Sequence, residues 1–281
     1  MAKCAIDKGL NYCYECDDFV DINPVEESYS SDVLILIDKN NNKYVLKIPF
    51  NNEKVIRESE IIKTINNKLP VPEIIKADSE KGFLLLSYIE GKPIAGEISD
   101  QLAFDCGKLL AELHCIPMEL FNDSHDNWWA FINERFYVWA EVCKKILDKN
   151  LFEKCVDYYE NIKTNLPKPD GPCLTHFDYR PGNILVDKNK IVGLIDFESS
   201  RGGSADMDFV KMKLYMWDKF PSTKIFFLDG YLSVRKLPPI NATLDLYEFY
   251  NAFGGIAWCH NRNKLEDPFF YENKEILKSI L

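Results

Sequence analysis

The stretch from Leu174 to Glu198 constrains this chain more than any other. It runs Leu174-Thr175-His176-Phe177-Asp178-Tyr179-Arg180-Pro181-Gly182-Asn183, then an apolar Ile184-Leu185-Val186 and a polar turn at Asp187-Lys188-Asn189-Lys190. It ends on Ile191-Val192-Gly193-Leu194-Ile195-Asp196-Phe197-Glu198. Short apolar runs on either side of a polar turn predict a compact set of strands and loops. Asp178 and Asn183 stand five residues apart, and Pro181-Gly182 bends the loop between them. Asp196 follows the second run. Three oxygen-bearing side chains are thereby expected at consecutive loop ends of one small β structure.

That set suits one chemistry. A phosphoryl group in transfer spreads negative charge over its oxygens, so the protein mostly positions groups and neutralises charge. Magnesium is a hard cation that takes oxygen ligands, one or two from protein and the rest from phosphate and water. Asn183 and Asp196 are candidate metal ligands. A separate carboxylate must accept the proton of the attacking hydroxyl, and Asp178 is the candidate. Arg180, two residues on, is a second candidate, placed to stabilise charge on the moving group. A surface arginine is the plainer alternative.

Around this segment the chain divides in two. Val33–Ile37 and Tyr44–Ile48 flank an Asn-rich connection and predict an antiparallel hairpin. Val55, Ile56, Ile61, Ile62 and Ile65 repeat at helical spacing over 53–65, and Pro70 and Pro72 stop that helix. Ile74-Ile75 and Phe83–Ile89 read as further strands. Beyond Gly91 and Pro93 the pattern turns helical, with Ser99 as an expected N-cap. The expectation is an α+β, bilobal fold, with a strand-rich N-terminal lobe over residues 1–90 and a mainly helical C-terminal lobe over 91–281. Clefts between such lobes are common ligand sites.

The formal net charge of -10 disfavours nucleic acid and anionic lipid as partners, and draws cations. No apolar run approaches the roughly 20 residues a membrane span needs. The first residues lack a secretory pattern, so a cytoplasmic protein is expected. Nine cysteines without such a signal are expected as free thiols. Cys13 and Cys16 form one C-x-x-C with Cys4 nearby, but a tetrahedral zinc site needs four ligands, and no second pair exists.

The pattern H-x-D-x-x-x-x-N followed by I-D-F matches protein kinases in outline. It resembles the aminoglycoside phosphotransferase and choline kinase superfamily more closely. Glu198 stands where a protein kinase carries glycine, no A-P-E segment follows, and G-x-G-x-x-G is missing. The resemblance runs from about Ser28 to Asp208 and implies a protein-kinase-like fold. It implies that Lys47 contacts the α- and β-phosphates, with Glu58 as its partner. Glu60, two residues on, stays open as the alternative. It implies that the turn Ser28–Ser31, with Ser30, cradles phosphate in place of a glycine loop. It further implies that the backbone of Ser87 to Ile89 holds the purine, beside a Leu86 that leaves room for adenine. ATP with magnesium is the expected cofactor pair, with GTP not distinguished.

For several further residues structural roles are expected, for Asp208 from the resemblance and for the others from position and spacing. His176 is expected to brace the loop rather than to catalyse, as is Asp208, with Asp206 beside it. Trp128, Trp129 and Trp139 are expected in the core. For the acceptor two readings stand. Glu198, Asp157, Glu160, Glu248, Glu266 and Asp267 would form a negative pocket for an amino sugar, though each alone reads as a solvated charge. Tyr247, Phe249, Tyr250 and Trp258 would instead line an apolar or cation–π site, unless they simply pack inward. The expected function is a monomeric O-phosphotransferase for a small-molecule hydroxyl, best matched by an aminoglycoside-type antibiotic. A metabolic kinase of choline, ethanolamine, homoserine or a ketosamine is the alternative, as is a pseudokinase that only binds.

Overall fold

The alternation of apolar side chains builds the front sheet. The computed structural model describes residues 19–25, 31–116 and 128–281; Ser30 and the cysteines at 4, 13 and 16 lie outside them. Strands β1 (Phe19–Pro24), β2 (Ser31–Asp38), β3 (Lys43–Pro49), β4 (Ile74–Asp78) and β5 (Phe83–Ser87) form an antiparallel sheet in the order β1-β2-β3-β5-β4. The expected hairpin is present, with Leu34 opposite Leu46 and Ile35 opposite Val45. Leu34, Leu36, Leu46, Ile48, Phe83 and Leu85 pack together on one face. Because side chains alternate along a strand, Lys47 between Leu46 and Ile48 points to the other face. There Val45, Leu84 and Leu86 join the main core with helix α1 (Asn52–Ile65). Asn51 caps α1 by accepting the Glu53 N–H at 2.9 Å, and Val55, Ile61, Ile62 and Ile65 face inward.

A short strand, β6 (Lys92–Pro93), carries the chain out of the sheet and pairs with β8 (Ile184–Asp187), which pairs with β9 (Lys190–Leu194). Between them in sequence, β7 (Cys173–Thr175) pairs with β10 (Arg201–Gly203). These two small sheets hold the ends of the Leu174–Glu198 stretch. The Leu194 N–H bonds the Pro70 carbonyl at 2.7 Å, which ties the second hairpin to the segment after α1.

The back of the molecule is helical: α2 (Asp100–His114), α3 (Trp128–Cys143), α4 (Lys149–Ile162), a single turn α5 (Phe209–Met212), α6 (Thr223–Leu232), α7 (Ile240–Asn261) and α8 (Pro268–Ile280). Ser99 caps α2 as expected, accepting the Leu102 N–H. α7 turns Tyr247, Phe249 and Tyr250 fully inward, where Phe249 stacks with Phe253 near Phe136. Of the two readings for these three, an open cation–π site and inward packing, the first is corrected and the second holds: they are core. Trp128 is buried, and Trp129 and Trp139 pack against the same core. Among the described residues, no helix is long and apolar enough to cross a membrane.

Helices α2 and α6 touch backbone to backbone. A Cβ on Gly107 would stand 1.8 Å from the Phe227 carbonyl oxygen, and one on Gly230 would stand 1.9 Å from that of Phe104. No side chain can yield to make room at either point. Gly107→Ala is expected to lower the unfolding free energy by about 2 kcal/mol or more, as overpacking does. Urea denaturation checks this, and an unchanged midpoint would rule the close approach out.

Candidate active site

The site begins with a carboxylate that is not itself at the reaction centre. Asp208 is buried and accepts the backbone N–H of His176 at 2.6 Å and of Phe177 at 2.7 Å. Phe177 has φ +66°, a left-handed conformation costly for a residue with a side chain. Two charge-assisted bonds on consecutive amides hold it there. His176 is also buried, which lowers its basicity against the pull of nearby Asp208 and Asp178 and keeps the ring neutral. Its Nε2–H donates to the Ile195 carbonyl at 3.0 Å, and its Nδ1 accepts the Asp178 N–H at 3.3 Å. His176 thus links the loop before Asp178 to the strand end before Asp196. Tyr179 anchors the same loop to α2 through a 2.7 Å bond to the Cys106 carbonyl. Asp206 is buried nearby but bonds Ser204, not the loop.

Asp178 sits between two cations. Lys211 Nζ bonds its Oδ1, and Arg180 Nε lies 3.3 Å from its Oδ2. Asn183 Nδ2 donates to both the Asp178 carbonyl and Oδ2, each at 2.9 Å. Burial would raise the Asp178 pKa, but the Lys211 ammonium and the Arg180 guanidinium outweigh it and hold it down to about 2. Asn183 is left with its Oδ1 unbonded to any other described residue.

A second cluster lies where α1 meets the end of β9. Lys47 Nζ is 2.8 Å from Glu58, 2.5 Å from Asp196 Oδ1 and 3.3 Å from Glu198. Glu58, not Glu60, is the partner: Glu58 is buried one helical turn from Lys54, while Glu60 faces solvent. Glu58 also accepts the Phe197 N–H at 3.2 Å. Glu198 accepts from Ser31 Oγ and pairs with Lys54 at 2.6 Å. Asp196 has φ +72°, so this turn, like the one at Phe177, is held in a strained conformation. Carboxylate oxygens of Glu58, Asp196 and Glu198 lie within 4.8 Å of one another. Burial lifts the Glu58 carboxyl to about 7 against the pull of Lys47. Burial alone would depress Lys47, but Asp196, Glu58 and Glu198 overrule it and raise its pKa, so the ammonium stays charged. The donor set fits a hard dication: an amide oxygen on Asn183 and a free Asp196 Oδ2, both hard ligands.

The expected purine-binding backbone is only in part open. Ser87 gives its N–H to Glu73 O and takes the Glu73 N–H on its hydroxyl, both at 2.9 Å. The amide and carbonyl of Ile89 bond no other described group. The six carboxylates expected around an amino sugar do not converge. Glu198 belongs to the lysine cluster, Glu248 pairs with Lys213 at 2.9 Å and Glu160 with Lys163 at 2.7 Å. Glu266 accepts from Tyr271, and Asp267 caps α8. Asp157 is exposed.

Sequence reasoning missed Lys54 and Lys211. Lys54 precedes Glu58 by four, so both project from one face of α1, and that spacing was available. Lys211 follows Asp208 by three in a helical turn, but nothing in the sequence ties it to Asp178.

A depressed carboxylate makes stability depend on pH. The Asp178 pairing contributes fully above its ordinary value of 3.8 and is lost as pH falls toward 2. The stability advantage of wild type over Asp178→Asn should therefore shrink by about 2 kcal/mol between pH 5 and pH 2. Denaturant melts of both proteins across that range measure it; a constant difference would exclude the double cation clamp.

Solved structures share this architecture throughout. A macrolide 2'-phosphotransferase type I superposes with a TM-score of 0.75 at 15% identity, covering 99% of this chain and 97% of that one. The ADP-bound aminoglycoside phosphotransferase APH(2'')-Ib gives 0.74 at 23% identity, with 96% of each chain covered. The GDP and kanamycin complex of APH(2'')-IIIa gives 0.77 at 15% identity, covering 96% and 98%. These show a shared protein-kinase-like fold. No curated protein matches the chain in sequence. The family model described as "Phosphotransferase enzyme family" matches residues 21–237, and the chain belongs to that family.

Proposed function

We propose that the protein transfers the terminal phosphate of ATP, with magnesium, to a hydroxyl of a small molecule, and does so as a cytoplasmic monomer. The observation that supports this is the pairing of Asn183 with Asp178 beside the Lys47–Glu58–Asp196 cluster, the two tied by the Ile195 N–H on the Asn183 carbonyl at 3.0 Å. Residues 1–90 hold the nucleotide in this reading and 91–281 the acceptor. Lys47 binds the α- and β-phosphates, oriented by Glu58. Ile89 offers its free backbone to the purine, with Ser87 shaping the strand before it and Ser30 near the phosphates. Asn183 and Asp196 hold the metal, which supplies charge neutralisation on the phosphates. Asp178 orients the acceptor hydroxyl and takes its proton, and Arg180 neutralises charge on the moving group.

For the acceptor, an aminoglycoside-type antibiotic is the first reading. It is supported by kanamycin in one solved relative and by the acidic balance of -10. A second reading, an acceptor that is not a polyamine, is favoured by one observation: three of the six carboxylates that would bind ammonium groups, Glu160, Glu198 and Glu248, are already in ion pairs.

Asp178→Ala should cut turnover by about a hundredfold or more while leaving magnesium-dependent nucleotide binding intact. A coupled ADP assay with aminoglycosides, macrolides and small alcohols supplies the acceptor, and thermal shift reads binding. Full turnover in the variant would remove Asp178 as the base. No magnesium-dependent shift in wild type would favour a pseudokinase.

A further inference from the structure

Beside the catalytic loop lies a cavity of about 350 Å³, between the chain entering α2, the turn Arg180-Pro181-Gly182 and the segment after α5. That volume suits a single ring or short chain of a ligand. Ile94, Ile98 and Phe220 form its apolar walls. Among the described residues its charged and hydroxyl-bearing side chains are Arg180, Lys219 and Tyr215, with no carboxylate. Arg180 reaches from this cavity to Asp178 Oδ2 at 3.3 Å, so the cavity adjoins the group assigned to the acceptor hydroxyl. Lys219 has no ion pair among the described residues; its Nζ lies 5.7 Å over the Tyr215 ring. Burial lifts the Tyr215 hydroxyl to about 12, aided by the charges of Glu272 and Asp178, so it stays protonated as a donor. That hydroxyl bonds to no other described group.

In a chain of net charge -10, a cavity whose described lining carries two cations and no anion does not follow from bulk composition. Long-range field governs which molecules approach, but the lining decides what rests there. An ammonium group in this space would face the unpaired Lys219 ammonium and the Arg180 guanidinium, whose carboxylate partner Asp178 lies outside the lining. An oxygen anion would meet a guanidinium, an ammonium and a phenol O–H, all donors, against an apolar wall.

We propose that this cavity is an acceptor subsite that takes an anionic, part-apolar group, such as a carboxylate on a ring, carried by the molecule whose hydroxyl is phosphorylated. The proposal rests on the phosphotransferase reading above. It narrows the acceptor class: the substrate presents its hydroxyl to Asp178 and an acidic flank to Arg180 and Lys219. An amine-rich flank is disfavoured there.

Benzoate and benzylammonium, matched in size and opposite in charge, are the probes. Ligand-observed NMR titrations on the full chain, with saturating magnesium and ADP, should show benzoate binding in the millimolar range and benzylammonium at least about tenfold weaker. Lys219→Glu, at an exposed position, should weaken benzoate about tenfold and leave the melting temperature and the ADP shift unchanged. Equal or better binding of benzylammonium, no benzoate binding at millimolar concentration, or benzoate binding unaffected by Lys219→Glu would each overturn the subsite. Displacement of benzoate by magnesium and ADP would overturn it too, by assigning the cavity to the nucleotide. The ADP shift separates the two failures. Its absence sinks the phosphotransferase reading and the acceptor role together, whereas its presence with benzylammonium preferred sinks the subsite alone.

Discussion

One carboxylate holding two consecutive backbone amides sets the shape of the catalytic loop. Asp208 binds the N–H groups of His176 and Phe177, and Phe177 is in a conformation it would not adopt by itself. That conformation directs the next residue, Asp178, toward Arg180, Asn183 and Lys211. Asp208 is itself fixed from behind. His114 Nε2 donates to it at 3.2 Å, and His114 Nδ1 meets the Tyr231 hydroxyl at 2.9 Å. Arg235 donates to that hydroxyl at 2.8 Å and closes on Asp170. Each polar group in this buried chain has a partner on both sides, which is what makes such networks rigid. The strain at Phe177 is thereby balanced by groups far from the cleft.

The second joint is electrostatic and crosses between the two halves. Glu58, Asp196 and Glu198 share Lys47, with Lys54 on the far side of Glu198. Three carboxylates face two ammonium groups, and burial, with the neighbouring Asp196 and Glu198 charges adding to it, raises the carboxyl of Glu58. Lys47 is the cation all three carboxylates share, so its removal would leave buried Glu58 without an ammonium partner, a loss on the order of 3–5 kcal/mol. This explains how a front lobe with only a small core of its own keeps a fixed relation to the loop. Ser31 on β2, Lys47 on β3 and Lys54 on α1 all reach across to residues 196–198.

Much of this was legible in the sequence because it is local. The hairpin, α1, the Ser99 cap and the strand–turn–strand after Asn183 follow from period, turn residues and caps within a few positions. Asp178, Asn183 and Asp196 were legible because they sit within 19 residues of one another on one small structure. What was not legible depends on distant chain. Neither reading of Glu198, a substrate carboxylate or a solvated charge, reaches its buried place, because its partners, Ser31 and Lys54, lie 167 and 144 residues away. For Tyr247, Phe249 and Tyr250 a binding surface and an inward face both stay open in the sequence, because a helix that is apolar all round gives no phase to say which side faces in. Lys211 bonds Asp178 only because the short helix after Asp208 folds back beside the loop.

The clamp on Asp178 bears on how the proposed reaction would proceed. A carboxylate held at about 2 is a weak base toward an ordinary alcohol, so it does not strip the proton in the ground state. It does not need to. In a loose phosphoryl transfer the acceptor oxygen gains little bond order early, and its proton becomes acidic only as the new bond forms. Until then the useful property of Asp178 is direction: a fixed, ionised oxygen that holds the hydroxyl in line. Arg180 and Lys211 secure both the ionisation and the orientation. The same two cations bring positive charge next to the acceptor oxygen as negative charge develops across the transition state. A more basic, uncoupled Asp178 would pull harder on the proton but would lose that alignment, and in this chemistry alignment is the larger contribution.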